Sequence, residues 1–109
     1  MLRVKENKNS FFITIEKTTR LNALTGDIIE DQLQKIVCHT RKKVILSLEG
    51  IIFMDNSGFD HIIAIARSAR EHGCSFRLCD VSQELYELIC LMKINMVFEL
   101  KPEKVPAVS

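Results

Sequence analysis

Residues 51–59, Ile-Ile-Phe-Met-Asp-Asn-Ser-Gly-Phe, pass from an apolar strand through a polar turn to the start of a helix. The stretch follows residues 44–48, whose β-branched and aliphatic side chains are typical of a strand covered on both faces. Residues 55–57 are of types that cap helices, because their short side-chain oxygens accept hydrogen bonds from first-turn amides. Apolar residues then recur at helical spacing until Gly73: Phe59, Ile62, Ile63, Ala66 and Ala69. This pattern predicts a recognition turn at the end of a buried strand, beside the positive end of a helix.

The segments before this stretch predict a hairpin and a helix. Residues 2–5 and 11–16 are typical of two short strands joined by an Asn-rich turn, with apolar residues alternating in the second strand. Residues 18–24 are predicted to be a loop, and Thr25 is the predicted cap of the first helix. The apolar positions of that helix form one predicted buried stripe: Ile28, Ile29, Leu33, Ile36 and Val37.

The segments after it predict a further strand and a third helix. Residues 75–80 alternate like a strand, and Ser82 is the predicted cap of the helix that follows. We expect Asn95 to end this helix, and residues 96–100 to be a last short strand or an irregular segment. The domain is predicted to span residues 1–100, and residues 101–109 are predicted to be a loose tail.

This order of elements predicts an α/β fold. Strands that alternate with helices imply right-handed crossovers over a mixed, largely parallel sheet with three to four helices. The opening hairpin adds an antiparallel edge. Binding sites in such sheets lie at the carboxyl ends of the strands. We therefore expect three loops to converge there, at residues 20–25, 54–58 and 80–83.

Composition excludes several classes of function. The chain has 109 residues, 47% of them hydrophobic, and a formal net charge of +1, so it offers no field that attracts nucleic acid. No apolar run approaches the roughly 20 residues that cross a bilayer. The amino terminus lacks the pattern of a secretory signal, so we expect a cytoplasmic location. Direct insertion into a membrane is therefore not expected.

The four cysteines do not predict a metal or redox site. Cys38, Cys74, Cys79 and Cys90 include no C-x-x-C pair and have no histidine at ligand spacing. We interpret them as free buried thiols. No cofactor and no metal site are expected.

The chain resembles the STAS domain, the fold of anti-sigma factor antagonists and of the cytoplasmic tails of sulfate transporters. The resemblance covers about residues 10 to 100, and the order and spacing of several short motifs together indicate it. These motifs are Arg20–Leu24, Val44–Leu48, Phe53–Gly58, His72-Gly73 before Phe76–Ser82, and Leu88-Ile89 through Val97-Phe98.

The resemblance implies a bacterial regulator of transcription that acts by binding and switching partners. In anti-sigma factor antagonists, an aspartate is followed by a serine that a partner kinase, itself the anti-sigma factor, phosphorylates. The unphosphorylated form binds the kinase and frees the sigma factor. Phosphate prevents this because it adds roughly −1.5 to −2 charge within a packed contact.

This chain departs from that pattern at the switch. The family motif Asp-Ser-Ser/Thr-Gly is replaced by Asp55-Asn56-Ser57-Gly58, and Asp60 stands where a glycine often occurs. An amide at position 56 cannot accept a phosphoryl group. Three interpretations remain open: Ser57 is the phospho-acceptor, Asn56 imitates a permanently unphosphorylated site, or the chain is a non-switching adaptor subunit, for instance of a lipid ABC transporter.

We interpret the chain as a non-catalytic protein-binding regulator that resembles an anti-sigma factor antagonist. The partner is a serine kinase that is also the anti-sigma factor, or a transporter ATPase in the adaptor alternative. A small phosphotransfer enzyme is a weaker alternative, because the chain lacks G-x-x-x-x-G-K and any Cys-centred loop. A solvated position is expected for His61, and Gly58 is expected to give room for the partner's close approach. The predicted partner-binding residues are Asn22, Thr25, Asp55, Asn56, Ser57, Gly58, Asp60, His61 and Ala64.

Overall fold

A computed structural model describes residues 1–92, apart from the side chain of Met92. The predictions for Asn95, for residues 96–100 and for the tail at 101–109 lie outside the described residues. The elements are β1 (Leu2–Glu6), β2 (Ser10–Ile15), β3 (Arg20–Leu21), α1 (Ala23–Val37), β4 (Lys43–Ser47), β5 (Phe53–Met54), α2 (Asn56–Glu71), β6 (Phe76–Cys79) and α3 (Gln83–Met92).

The main sheet has four strands in the order β1-β2-β4-β6. The strands β1 and β2 pair antiparallel as the predicted hairpin, whereas β2–β4 and β4–β6 are parallel pairs. Each parallel pair needs a crossover, and α1 and α2 occupy these connections. The predicted α/β class, with a largely parallel sheet and an antiparallel edge, is confirmed.

A second, two-stranded sheet corrects the prediction for the segment before α1. Residues Arg20–Leu21 form β3, which pairs parallel with β5, whereas the sequence predicted a loop over residues 18–24. A strand of two residues is too short to show the alternation of apolar and polar residues by which a strand is predicted from sequence. It forms here because β5, which is distant in sequence, pairs with it. Residues 51 and 52, which we took as part of an apolar strand, precede β5 instead of belonging to it.

The core lies between the main sheet and the apolar stripes of α1 and α2, which pack against each other. In α2 every residue of the predicted stripe is buried, and the helix ends before Gly73, whose φ of 73° suits glycine. In α1 the prediction for Ile28 is wrong, because its side chain is 38% exposed. The buried residues of α1 are Gly26, Ile29, Leu33 and Val37.

The cysteines are free thiols, as predicted. Cys74 and Cys79 are buried, whereas Cys38 and Cys90 are only half-buried. Burial raises the pKa of the Cys74 thiol, and the nearby Cys38 adds to this effect, so the thiolate is disfavoured. Within residues 1–92 no group of His, Cys, Asp and Glu side chains is arranged to hold a metal ion. None of the described helices is both long and apolar enough to span a bilayer.

Candidate functional site

The starts of α1 and α2 lie side by side because the two short strands before them are paired in register. In the β3–β5 pair, Arg20 is opposite Phe53 and Leu21 is opposite Met54. The next residue in each chain segment caps a helix, Asn22 for α1 and Asp55 for α2. The amide of Asp55 donates to the carbonyl of Leu21 across the pair, over 3.1 Å. The predicted convergence of residues 20–25 with residues 54–58 therefore follows from strand pairing.

The cap of α1 is Asn22, and not Thr25 as predicted. Its Oδ1 accepts from the amides of Leu24 at 3.1 Å and Thr25 at 3.0 Å. The Thr25 hydroxyl in turn accepts from the amide of Asn22 at 3.1 Å, which completes a capping box. Both polar side chains are half-buried and bonded to their own helix start. Their hydrogen-bonding capacity is therefore largely used within the chain.

The turn at residues 55–58 contains two kinds of residue. Asp55, one of the three residues of cap type in this turn, is the cap of α2, and its Oδ1 accepts from the amide of Gly58 at 2.8 Å. Asn56 and Ser57 are exposed at the first two helical positions, and neither side chain has a hydrogen-bond partner among the described residues. The turn thus offers an amide and a hydroxyl to solvent, beside a carboxylate that stabilises the helix start.

Gly58 has an intramolecular role, which corrects our expectation that it leaves room for a partner. The residue is buried, and a Cβ added there would lie closer than 3.0 Å to the carbonyl of Leu21. Because that obstacle is backbone, no side-chain rotation relieves it. Glycine at this position allows β3 to approach α2.

His61 is half-buried and paired, rather than solvated as predicted. Its Nδ1 is 2.5 Å from Oε1 of Glu30 on α1, and the two side chains are 23% and 27% exposed. Its ring also covers Gly26, where an added Cβ would lie 2.6 Å from Cδ2 of His61. This contact fixes the spacing between the two helices next to their starts.

The predicted partner-binding residues thus fall into three groups. Exposed side chains that a partner can contact directly are Asn56, Ser57 and Asp60. Half-buried residues that face their own neighbours in part are Asn22, Thr25, Asp55, His61 and Ala64. Gly58 is buried. Six of the nine belong to the caps and first turns of α1 and α2, whereas Asp60, His61 and Ala64 lie on the second and third turns of α2.

The third loop, residues 80–83, lines a separate cavity of about 610 Å³. Its walls combine Leu48, Ile51 and Ile52 with three carboxylates, Glu49, Asp80 and Glu84. The hydroxyl of Ser47, which is fully buried, donates to Oδ2 of Asp80 at 2.7 Å, and Asp80 has a φ of 57°. The carboxylates disfavour phosphate and other anions in this cavity.

Sequence reasoning missed Leu24, the cavity and the Ser47–Asp80 contact. Leu24 is 72% exposed, yet it lies within the predicted docking loop as an apolar residue between two polar ones. Its helical phase could have indicated this, because it is offset from the buried stripe of α1. The Ser47–Asp80 contact joins the ends of two strands, for which the sequence contains no local pattern.

The fold and this surface define a small α/β domain with an exposed polar turn at the carboxyl ends of its strands. A family model described as the STAS domain matches residues 3–105. The chain therefore belongs to the STAS domain family. STAS domains mediate protein–protein interactions, and their fold is generally non-catalytic.

Solved structures with the same fold come from regulators and from a transporter. An anti-sigma-factor antagonist (STAS) domain protein from Planctomyces limnophilus is 19% identical with a TM-score of 0.78, over 97% of this chain and 91% of that one. The anti-sigma factor antagonist SpoIIAA in its unphosphorylated form is 12% identical with a TM-score of 0.70, over 94% and 87%. Murine Slc26a9, an anion transporter in the inward-facing state, is 13% identical with a TM-score of 0.73, and 90% of this chain matches 16% of the transporter.

Proposed function

We propose that this chain is a non-catalytic regulator of the anti-sigma factor antagonist type. It binds a partner serine kinase, which is also the anti-sigma factor, through the turn at residues 55–58 and the adjoining first turns of α1 and α2. The proposal includes a cytoplasmic location and control of transcription by exchange of partners. The observation that supports it most directly is the exposure of Asn56 and Ser57 on a rigidly capped helix start.

The residue at position 56 determines how such a contact is regulated. A phosphate at this position would add charge in the middle of a packed contact, next to the carboxylate of Asp55. The amide of Asn56 is neutral, donates and accepts hydrogen bonds, and cannot be phosphorylated. The chain would therefore bind its kinase constitutively, unless Ser57 accepts the phosphoryl group. Ser57 is exposed, so a kinase can reach its hydroxyl.

Phosphorylation provides the first test. Incubation with the partner kinase and ATP, followed by mass spectrometry, is expected to show no phosphate at position 56. A single phosphate at Ser57, absent in Ser57→Ala, would establish a switch at the neighbouring position. Absence of phosphate would support constitutive binding or the adaptor alternative.

A charge placed in the turn provides the second test. Asn56→Asp is expected to weaken partner binding about tenfold in calorimetry, because it adds an uncompensated carboxylate to the contact. Asn9→Asp is the matched control, since Asn9 is exposed in the β1–β2 turn, at the opposite end of β2 from the docking surface. Equal affinity of Asn56→Asp and the unmodified chain would show that the turn is not central to the contact.

A second candidate function is a non-switching adaptor subunit, for instance of a lipid ABC transporter. Two observations favour it: the amide at position 56, and the shared fold with part of the Slc26a9 transporter chain. In this case the partner is a transporter ATPase, and Ser57 remains unmodified by any kinase. Phosphorylation of Ser57 by a co-purifying kinase would exclude the adaptor.

A phosphotransfer enzyme is the weakest alternative. Such an enzyme needs cations or backbone amides around a transferred phosphate. The cavity at residues 48–52 is lined by carboxylates instead, and within residues 1–92 no acidic cluster is arranged for a metal. The chain is expected to release no phosphate from ATP on its own.

A further inference from the structure

The outward side of α1 exposes apolar side chains that the fold does not use. Leu24 is 72% exposed and Ile28, one turn later on the same side, is 38% exposed. The buried stripe of α1 lies on the opposite side, at residues 26, 29, 33 and 37. Adjacent exposed apolar side chains on a helix are a feature of contact surfaces. We call Leu24, Asp27, Ile28 and Asp31 the outer face of α1.

Acidic side chains flank this apolar pair. Asp27 and Asp31 follow Leu24 at i+3 and i+7, and both are exposed. Asp27 has no ion pair within the part of the chain that the structure describes. Asp31 has one exposed contact, 3.8 Å from Nζ of Lys35, which is weak in water. The outer face is therefore apolar at Leu24 and Ile28 and negative at Asp27 and Asp31, with the exposed Lys35 one turn beyond Asp31.

The outer face is continuous with the proposed docking surface. Because β3 and β5 are paired in register, corresponding positions of α1 and α2 lie abreast. Leu24 and Ser57 are each the second residue after their helix caps, and both are exposed. One turn later, Asp27 and Asp60 also correspond, and both are exposed. Directly after these positions, the pair of Glu30 with His61 joins the two helices.

The charge of this surface excludes several occupants. A second copy bound face to face would bring the aspartates of one outer face against those of the other. An anionic membrane or a nucleic acid would be repelled in the same way. A partner surface with an apolar patch bordered by positive charge would complement both the apolar side chains and the aspartates of the outer face.

We propose that the outer face of α1 is part of the docking surface, and that the partner presents an apolar patch bordered by lysine or arginine. This inference rests on the proposed function of the turn at residues 55–58 and states the chemistry of its partner. Leu24 and Ile28 bind the apolar patch, whereas Asp27, Asp31 and Asp60 face the basic border and set the orientation.

A model ligand tests the chemistry without knowledge of the partner. An amphipathic helical peptide of leucine and lysine is titrated into the isotope-labelled protein and followed by NMR. We expect amide shifts at residues 24–31 and 56–60 and several-fold weaker binding at high salt, with no shifts from a leucine–glutamate peptide. Leu24→Ser with Ile28→Ser is expected to weaken binding at least fivefold. Val4→Ser, at another exposed apolar side chain (46%), is the matched control and is expected to leave binding unchanged.

Several results would overturn the inference. Shifts confined to the cavity around Glu49 and Glu84 would assign the peptide to that site. Undiminished binding by the Leu24 and Ile28 double variant would exclude the outer face. Self-association in sedimentation experiments that Leu24→Ser abolishes would assign the face to a second copy.

Binding to the kinase or ATPase partner separates this inference from the proposed function. If Asn56→Asp weakens binding but Asp27→Lys and Leu24→Ser do not, the turn is the contact and the outer face is not. If the α1 variants weaken binding and Asn56→Asp does not, the outer face is a contact and the proposed role of the turn fails. We expect all three to weaken binding, with melting temperatures unchanged for the exposed α1 variants.

Discussion

The starts of α1 and α2 solve the same structural problem in different ways. Each follows a strand of two residues, and each must satisfy first-turn amides that lack helical partners. At α1, Asn22 and Thr25 bond reciprocally, so both polar side chains are used within the helix. At α2, Asp55 alone caps the helix, and Gly58 admits the backbone of β3.

This difference determines what each helix start exposes. At α1 the two residues between the members of the capping box are Ala23 and Leu24, so this start exposes apolar side chains. At α2 the residues between cap and glycine are Asn56 and Ser57, so this start exposes polar groups. The two adjacent starts therefore expose different groups to solvent, apolar at α1 and polar at α2.

Gly58→Ala is expected to have the largest effect, because the added Cβ would overlap the carbonyl of Leu21. We expect a loss of about 3 kcal/mol in the free energy of unfolding, measured by urea denaturation. Gly26→Ala is the matched control, since its Cβ would meet a side chain, the ring of His61, which can move. Its loss is expected to be about 1 kcal/mol. Equal losses would show that β3 can move away from α2.

Removal of the caps is expected to have the next largest effect. Asn22→Ala should lower the free energy of unfolding by about 1.5 kcal/mol and Asp55→Ala by about 1 kcal/mol. The side chain of Asn22 accepts hydrogen bonds from two backbone amides, whereas that of Asp55 accepts one. Thermal denaturation of both variants and of the double variant measures this. A smaller loss for Asn22→Ala than for Asp55→Ala would contradict the contrast between the two caps.

The pair of Glu30 and His61 is expected to contribute less, because both side chains are partly exposed. A double-mutant cycle with Glu30→Gln and His61→Gln should give a coupling of about 0.5 to 1 kcal/mol. The control cycle combines Glu30→Gln with Gln83→Ala on α3. Zero coupling in the first cycle would show that the contact between Glu30 and His61 does not stabilise the fold.

The smallest effect on stability is expected at the exposed positions of the turn. Asn56→Ala and Ser57→Ala should each change the free energy of unfolding by less than about 0.5 kcal/mol, since neither side chain has a partner among the described residues. A change of more than about 1 kcal/mol in urea denaturation would mean that these residues support the fold.

The sequence predicted the features that depend on local pattern. The hairpin, the stripe of α2, a cap within residues 55–57, the cap Ser82 and the end of α2 before Gly73 are all confirmed. Each depends on residues within one or two turns of each other, where side-chain type and spacing act directly. The exposure of Asn56 and Ser57 followed from the same pattern.

The features that sequence reasoning missed depend on contacts between distant segments. The strand β3 exists because β5 pairs with it, and Gly58 is buried because β3 approaches α2. His61 is half-buried because its ring lies against Gly26 of α1, where Glu30 accepts a hydrogen bond from its Nδ1. Asn22 and Thr25 are both residue types that cap helices. The hydrogen bonds of the Asn22 side chain show that Asn22 is the cap and Thr25 the third helical residue.

The backbone of Leu21 binds the amide of Asp55 and also abuts Gly58, so one peptide unit restrains both ends of the turn. The fold therefore restricts which residues can occupy positions 55 and 58, whereas the exposed positions 56 and 57 are not restricted in this way. A combinatorial library at 56 and 57 should retain most amino acids in the folded pool, whereas one at 55 and 58 should retain few. The domain could therefore serve as a display scaffold, in which the side chains at positions 56 and 57 are exchanged while Asp55 and Gly58 hold the turn against Leu21.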